Sequence, residues 1–320
     1  MLYFGIKKNN HDSQIVNVLN KIENTREFYL NNSLTVFFTM MLRGKNKILV
    51  FRGLDNLFLI LTRRKKKFNI GICMAKEIND SYMLKRKIIK FNLSKIDLLI
   101  VDSSVILNKI REEFGFTGKV ILMNYTFSLE EMSTIPLSSK RKVDVFIGRN
   151  SSRVHNTRIL FKIIKKMNKQ DLNFTIVKGK NRTIFYLLSK VYSNVFLVDS
   201  LDRQGVVSQF EKCQVYLSTS LSDGTSVMLL EAMASGRICV VSDFESNKEW
   251  VKDGISGFLF HNNDYKSLIK VLDKIINLTQ NERYQISDNA RNYVFEKTRK
   301  NHGASELRNI VIKNLNSKQS

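Results

Sequence analysis

Two carboxylates separated by seven residues, Asp223 and Glu231, are the side chains of this sequence best placed to do chemistry. Glu231 stands in the apolar run LLEAMA, where burying a charge without polar partners is costly. A carboxylate there can accept hydrogen bonds from two vicinal hydroxyls, such as those of a ribose, and Asp223 could bind the hydroxyls of a second sugar. Alternatively, Asp223 only shapes a turn and Glu231 pairs with an arginine. The two residues alone leave both interpretations open.

The residues between the two acids predict a loop followed by the start of a helix. Gly224 allows a tight turn and the close approach of a ligand, and Thr225 or Ser226 would cap the helix. The first free amides, near Ser226 and Val227, would form an anion site that suits a diphosphate. Gly236 would end the helix in a left-handed conformation.

The whole segment 218–260, STSLSDGTSVMLLEAMASGRICVVSDFESNKEWVKDGISGFLF, resembles the donor-binding signature of glycosyltransferase family 4, the glycosyl transferases group 1. In that signature an acidic residue, seven others and a glutamate precede AMA-x-G, as Asp223 and Glu231 do here. The resemblance covers about residues 143–275. It implies a retaining glycosyltransferase of the GT-B fold, in which Glu231 holds the ribose of a nucleoside-diphosphate sugar and Asp223 binds the transferred sugar.

The same resemblance implies where the diphosphate binds. Gly148-Arg149 matches the family's glycine-arginine turn, so Arg149 would neutralise the leaving diphosphate. For the second cation, usually a lysine, we favour Arg153 over Arg158. Gly179, within VKGK, is a looser match to the family's glycine-rich turn.

The base and the acceptor leave weaker signals. The base is expected near Leu197–Asp199. The family's N-domain histidine and glycine-rich acceptor loop have no clear counterpart: His11 is the only histidine of the N-terminal half, and His155 is expected to be a solvated loop residue.

The elements that must position these residues follow an alternation of short apolar runs and amphipathic stretches, which predicts parallel sheets covered by helices. The predicted strands are 2–6, 34–38, 47–51, 69–74, 97–101, 119–123, 143–147, 173–177, 194–198, 214–218, 237–241 and 257–260. The predicted helices are 13–23, 80–91, 103–114, 156–169, 182–192, 203–211, 226–235, 246–251, 264–277 and 281–297.

This order predicts an α/β protein of two Rossmann-like doubly wound domains that face a central cleft. The N-terminal acceptor-binding domain would cover 1–140 and the donor-binding domain 141–297. Residues 298–320 would form a tail that returns toward the N-terminal domain. The polar stretch 124–142 contains Pro136, the only proline, and is predicted to be the interdomain linker.

Composition limits the class of protein. A hydrophobic share of 43% excludes a disordered chain, and no apolar run approaches the roughly 18 residues that span a bilayer. The start lacks a signal-peptide layout, and Cys73, Cys213 and Cys239 form no metal or disulfide pattern. We expect a cytoplasmic protein with reduced, buried cysteines, and a peripheral position at the inner membrane face stays open.

The net charge of +23 suits a polyanionic partner, and Arg63–Lys95 is the most basic stretch. An anionic membrane, nucleic acid or solubility alone would each explain the charge. The leading hypothesis is sugar transfer to an acceptor glycan, such as a lipid-linked one, in cell-surface polysaccharide or glycoconjugate synthesis. No metal or other cofactor is expected, since cations and helix amides would stabilise the leaving group. The alternatives are a DNA-modifying glucosyltransferase and a non-catalytic polyanion-binding protein of the same fold.

Overall fold

Two parallel sheets organise the chain, each in its own folding unit. In the computed structural model, unit 1 comprises residues 1–125 and 300–320, and unit 2 comprises residues 126–299. The structure describes residues 2–4, 29–30, 48–54, 68–73, 75–79, 83–123, 129–136, 143–148, 153–167, 172–178, 182–299 and 303–316.

Unit 1 contains a parallel sheet whose six described strands have helices on both faces. The strands are β1 (Leu2–Phe4), β2 (Tyr29–Leu30), β3 (Ile48–Arg52), β4 (Phe68–Ile72), β5 (Leu98–Val101) and β6 (Lys119–Leu122). Their order in the sheet is β2-β1-β3-β4-β5-β6. The described helices are α1 (Ala75–Asn79), α2 (Met83–Leu93), α3 (Ser104–Phe114) and, from the C-terminal part of the chain, α12 (Gly303–Asn316).

Alternate residues of β3 show why this sheet needs helices on both sides. Leu49 and Phe51 pack in the core that contains the buried residues of α1, α2 and α3. Ile48 and Val50 pack on the other face, in the core that contains Leu307 of α12. Successive side chains of a strand point to opposite faces, so an apolar run such as ILVF is buried only when both faces are covered.

Unit 2 contains the second sheet and the remaining described helices. Its strands are β7 (Val143–Ile147), β8 (Leu172–Val177), β9 (Val195–Val198), β10 (Val215–Ser218), β11 (Ile238–Ser242) and β12 (Phe258–Phe260), ordered β12-β11-β10-β7-β8-β9. The helices are α4 (Leu129–Ser133), α5 (Thr157–Met167), α6 (Arg182–Val191), α7 (Arg203–Lys212), α8 (Val227–Ala234), α9 (Glu245–Lys248), α10 (Tyr265–Asn277) and α11 (Gln280–Arg299).

The sheet of unit 2 is also covered on both faces. Val145 of β7 packs with α5 and α10, whereas the neighbouring Phe146 packs with α4, α7, α8 and α11. Counted within the unit, the strand order is 3-2-1-4-5-6, the arrangement of Rossmann folds. The predicted fold class, α/β with Rossmann-like doubly wound units, is confirmed.

Most predicted elements agree with the structure within two residues at each end. The strand predicted at 34–38 and the helix predicted at 13–23 lie outside the described residues. The short elements β2 and α1 were not predicted, because two to five residues are too few to show a periodicity. Within the described residues, no helix has both the length and the apolar character that a bilayer span requires.

The stretch predicted as a linker, 124–142, differs from that prediction over 129–136. It contains α4, and Leu129, Met132 and Ile135 are buried in the core beside α8. Their spacing of three residues places them on one side of a helical turn. This short helix was not predicted because polar residues surround the three apolar ones and Pro136 follows them. It packs as part of unit 2.

Candidate functional site

The candidate site lies where the strand order of unit 2 reverses. Strands β7 and β10 are neighbours in the sheet, yet β8 and β9 separate them in the chain. The connections from β7 therefore run toward one edge of the sheet and those from β10 toward the other. Ligands of open parallel sheets bind outside the carboxyl ends of the strands at this kind of position. Gly148 follows β7 and Asp223 follows β10, so both belong to this region.

Gly148 lies directly against the first turn of α8. A Cβ atom at Gly148 would come within 2.1 Å of Met228 Sδ and 3.2 Å of Phe146 Cε1. Any side chain there would therefore force Met228 to move. The close approach joins the end of β7, where the predicted phosphate-binding turn begins, to the predicted anion-binding end of α8.

The helix start at α8 is only partly as predicted. Ser226 is the N-cap residue, but its hydroxyl makes no hydrogen bond to the helix amides. The Oγ atom of Ser226 is buried and has no hydrogen-bond partner among the described residues. Thr225 precedes the N-cap residue, and its Oγ1 accepts a hydrogen bond of 3.4 Å from Trp250 Nε1. One of the two predicted residues, Ser226, therefore occupies the N-cap position, but its hydroxyl does not make the cap hydrogen bond.

Hydrogen bonds hold the loop before α8 from both sides. On the β7 side, Thr219 Oγ1 donates to the carbonyl of His155 at 2.7 Å, and the amide of Leu221 donates to the carbonyl of Val154 at 2.8 Å. On the β11 side, the hydroxyl of Ser242 donates to the carbonyl of Ser220. The loop is thus fixed to the segment that follows β7 and to the last residue of β11, the two strands that flank β10.

Asp223 is half-buried in this loop, and its Oδ1 accepts a hydrogen bond of 3.0 Å from the amide of Gly224. The contact typical of an aspartate that shapes a turn goes to the amide two residues on, so this bond to the adjacent amide does not establish that role. The turn-forming role considered for Asp223 stays a prediction. A role toward a sugar hydroxyl stays a prediction.

Glu231 is buried and makes an ion pair that the sequence did not specify. Its Oε1 lies 2.6 Å from Nη1 of Arg203, the first residue of α7, and its side chain is 8% exposed. The Nη2 and Nε atoms of Arg203 lie 2.7 and 2.9 Å from Oε2 of Glu131 in α4. Arg203 therefore bridges two carboxylates, one buried and one 56% exposed. The arginine partner considered for Glu231 is present, and sequence reasoning missed both Arg203 and Glu131.

The C-terminal end of α8 is as predicted and carries two further arginines. Gly236 has a φ of 68°, the left-handed conformation expected after this helix. The buried Arg237 donates to the carbonyl of Ser235 and to carbonyls at residues 136, 210 and 213. Arg291 donates to carbonyls at residues 135, 234 and 235. Cations at a helix C-terminus stabilise the helix through its dipole.

Several predicted site residues cannot be located. Arg149 and Gly179 lie outside the described residues, and so does the side chain of Arg153, whose backbone begins a short 3-10 helix, Arg153–His155. Val227, another predicted site residue, is described and is the first residue of α8. Near the predicted base site, Lys178 Nζ lies 3.0 Å from Asp199 Oδ1 and joins the ends of β8 and β9.

The cysteines are buried and unbonded, as expected for small core residues. Burial raises the pKa of the Cys213 thiol to about 12 and also raises the pKa values of Cys73 and Cys239. A thiol with a raised pKa is a poor nucleophile at neutral pH, which argues against cysteine chemistry in this protein.

The switch point of this Rossmann-type unit thus combines an acidic loop, a helix start and a buried glutamate. The family model of glycosyl transferases group 1 matches residues 129–293, slightly more than half of the chain. The chain therefore belongs to the glycosyl transferases group 1 family, as the sequence resemblance implied.

Individual relatives agree with this family. A glycosyltransferase of Methanocaldococcus jannaschii is 23% identical over 305 residues, which cover 91% of this chain and 75% of that protein. The UDP-Gal:alpha-D-GlcNAc-diphosphoundecaprenol alpha-1,3-galactosyltransferase of Escherichia coli is 31% identical over 97 residues, only 29% of this chain and 23% of that enzyme.

Among solved structures, Anabaena HepE in complex with UDP-glucose superposes with a TM-score of 0.76 at 10% identity and covers 99% of both chains. Staphylococcus aureus TarM, in a complex that contains UDP, superposes with a TM-score of 0.72 at 18% identity over 88% of this chain and 58% of TarM. At these identities the likeness shows the fold alone, and these neighbours are GT-B glycosyltransferases.

Proposed function

We propose that the chain is a retaining glycosyltransferase that takes its sugar from a nucleoside-diphosphate donor bound at the switch point of unit 2. The observation that supports this most is the close approach of Gly148 to the side chain of Met228, in the first turn of α8. It supports a diphosphate site between the predicted turn after β7 and the amides at the start of α8. A uridine nucleotide is our first choice, because HepE was solved with UDP-glucose and the name of the E. coli relative contains UDP-Gal.

In the proposed mechanism, electrostatics lower the barrier. Arg149, Arg153 and the amides at the start of α8 would stabilise the charge that builds on the leaving diphosphate. Glu231 would hold the ribose and Asp223 the transferred sugar. Gly179 and Gly224 would allow the backbone to approach the nucleotide closely. We propose that these groups replace a metal ion at the diphosphate.

We propose a lipid-linked glycan as the acceptor and synthesis of a cell-surface polysaccharide or glycoconjugate as the context. The support is the E. coli relative, whose name specifies a diphosphoundecaprenol-linked acceptor, together with the net charge of +23. An anionic membrane surface would hold both the acceptor and a basic enzyme. The enzyme would then act as a peripheral protein at the cytoplasmic face of the membrane.

Thermal stability with UDP, GDP and ADP tests the donor site. A ligand at about 100 times its Kd stabilises the folded state by about 2.7 kcal/mol, so the preferred nucleotide should raise the melting temperature measurably. Asp223→Ala and Glu231→Gln should reduce turnover, and Glu231→Gln should also reduce the UDP-induced shift. Glu211→Gln, an exposed carboxylate of unit 2, is the matched control and should behave like the wild type. No shift with any nucleotide in the wild type would overturn the donor assignment.

The stereochemistry needs its own measurement. NMR of the product made from an α-linked nucleotide sugar should show an α-anomeric linkage. A β-linkage would contradict the retaining mechanism and leave the donor site assignment intact.

A further inference from the structure

Helix α2 exposes an apolar face that also carries two lysines. Met83 and Leu84 are 78% and 73% exposed, and Phe91 is 50% exposed. Lys87 and Lys90 are exposed as well and lie between them on the same side of the helix, because residues three, four and seven positions apart share a helical face. These five side chains form what we call the α2 face.

The opposite side of α2 is firmly packed. Ile89 and Leu93 are buried in the core of unit 1. Arg86 pairs with Glu113 at 2.8 Å and lies 4.7 Å from the ring centre of Phe114. These contacts attach α2 firmly to the core of unit 1. The α2 face is therefore exposed on a well-packed helix.

The two lysines of the α2 face differ from Arg86. Neither Lys87 nor Lys90 makes an ion pair with a carboxylate in the part of the chain that the structure describes. Two positive charges without acidic partners, set among large apolar side chains, form an unusual combination on a protein surface.

We propose that the α2 face binds an anionic lipid bilayer. Apolar side chains of an interfacial helix enter the boundary between headgroups and acyl chains, while lysines contact anionic headgroups. A nucleic acid would contact the lysines but would leave Met83 and Leu84 in water. A protein partner is less suitable, because charged residues are depleted from the centres of protein interfaces.

The proposal goes beyond the proposed function, since it assigns a surface in unit 1 and the donor site lies in unit 2. It rests on the proposed function in one respect: an enzyme with a lipid-linked acceptor must work at the membrane surface. Vesicle binding and nucleotide binding are separate measurements, so each can fail alone.

Helix α6 supplies a matched control for apolar exposure. Leu187 and Val191 are 59% and 71% exposed, comparable to the apolar residues of the α2 face. The exposed lysine of α6, Lys190, lies 5.4 Å from the ring centre of Tyr186. Within the described residues, this surface thus offers similar apolar area with one exposed lysine, whereas the α2 face has two.

Co-sedimentation of the full chain with vesicles tests the proposal. The wild type should bind vesicles that contain phosphatidylglycerol and not vesicles of phosphatidylcholine alone. Lys87→Gln with Lys90→Gln should lower the partition coefficient by about 25-fold, from a contribution of roughly fivefold for each lysine. Leu84→Ser with Phe91→Ser should lower it by at least about tenfold, because less apolar area is removed from water. The control, Leu187→Ser with Val191→Ser, should remain within about twofold of the wild type.

Insertion has an independent readout. Trp250 is the only tryptophan and is buried, so a Phe91→Trp variant would report on the α2 face against a constant background. Its emission should shift to the blue on phosphatidylglycerol vesicles, and brominated acyl chains should quench it. All α2 variants should keep the wild-type melting temperature and UDP response.

Three results would overturn the proposal. The first is wild-type vesicle binding by both α2 double variants. The second is an equal loss in the α6 control. The third is loss of duplex DNA binding in the lysine variant while its vesicle binding stays unchanged, which would assign the surface to nucleic acid.

Discussion

At the scale of single residues, the ion pair between Glu231 and Arg203 bears directly on the proposed donor site. Arg203 contacts Glu231 and Glu131 at 2.6 and 2.7 Å, so it has a carboxylate partner on either side. When Glu231 accepts ribose hydroxyls, Arg203 can keep its pair with Glu131. Arg203 would thereby avoid the cost of a cation left without a partner. We therefore expect Arg203 to position the carboxylate of Glu231 without touching the donor.

Arg203→Met tests this role through the discrimination between UDP and 2′-deoxy-UDP. If Glu231 is held in place to accept both ribose hydroxyls, the wild type should bind UDP more tightly than 2′-deoxy-UDP. The ratio of the two Kd values should be about tenfold or more, which corresponds to one charge-assisted hydrogen bond. The variant should lose most of this preference but keep its affinity for 2′-deoxy-UDP, since the diphosphate contacts are unchanged. Isothermal titration calorimetry measures both affinities.

The control for Arg203 is Glu131→Gln, which removes the exposed carboxylate and leaves Glu231 paired. It should retain most of the preference for UDP. If Arg203→Met weakens the binding of UDP and of 2′-deoxy-UDP by the same factor, Arg203 has only a structural role.

Sequence reasoning identified Asp223 and Glu231 because their spacing and the adjacent glycines form a local pattern. It missed Arg203 and Glu131, since Arg203 is 28 positions from Glu231 and 72 from Glu131. It also missed Arg237, which it treated as the start of a strand. Contacts at such separations depend on which helices the sheet brings together, and no local periodicity carries that information.

At the scale of elements, the contact between the end of β7 and the first turn of α8 leads to a second prediction. Gly148→Ala would place a methyl group against Met228 Sδ, so the end of this flexible, half-buried side chain must move. Because methionine adapts readily, we expect a loss below about 1 kcal/mol in the free energy of unfolding, together with weaker UDP binding where the displaced methionine side chain obstructs the proposed site.

A double-mutant cycle with Met228→Ala isolates this contact. The double variant should recover UDP affinity relative to Gly148→Ala, because the shorter side chain leaves room for the new methyl group. Additive losses in the double variant would show that the contact is not the cause.

Elements with a long, regular periodicity were mostly predicted, with the exception of α12, whose residues were predicted only as a tail. The buried strands of both sheets are apolar runs, and helices such as α5 and α10 repeat apolar residues every three or four positions. Around the short α4, the signal comes only from Leu129 and Met132 of the helix and from Ile135 just after it. That number is too small to distinguish a packed turn from a polar linker.

At the scale of the whole molecule, unit 1 is assembled from two separate parts of the chain. Leu307 of α12 is fully buried against the sheet formed by residues far earlier in the sequence. We expect Leu307→Ala to destabilise unit 1 by about 3 kcal/mol, within the range for a leucine truncated in a core. UDP binding should be retained, because the proposed donor site lies in unit 2.

Differential scanning calorimetry with and without UDP checks this prediction. The variant should lower one thermal transition, and UDP should still raise the transition that belongs to unit 2. Asn309→Ala, an exposed change on the same helix, should leave the transitions as in the wild type. A lost UDP response in Leu307→Ala would show that the donor site depends on unit 1.

The position of α12 along the chain also affects the order of events during synthesis. A ribosome releases the strands of unit 1 first, but the helix that covers one face of their sheet emerges only after all of unit 2. Unit 2 is continuous in sequence and can finish folding earlier. Until α12 arrives, Ile48, Val50 and their neighbours lack the one helix that, among the described residues, packs against them on that face. Apolar surface that waits for a late partner favours aggregation during folding, so we expect chaperones to help this protein most at that stage.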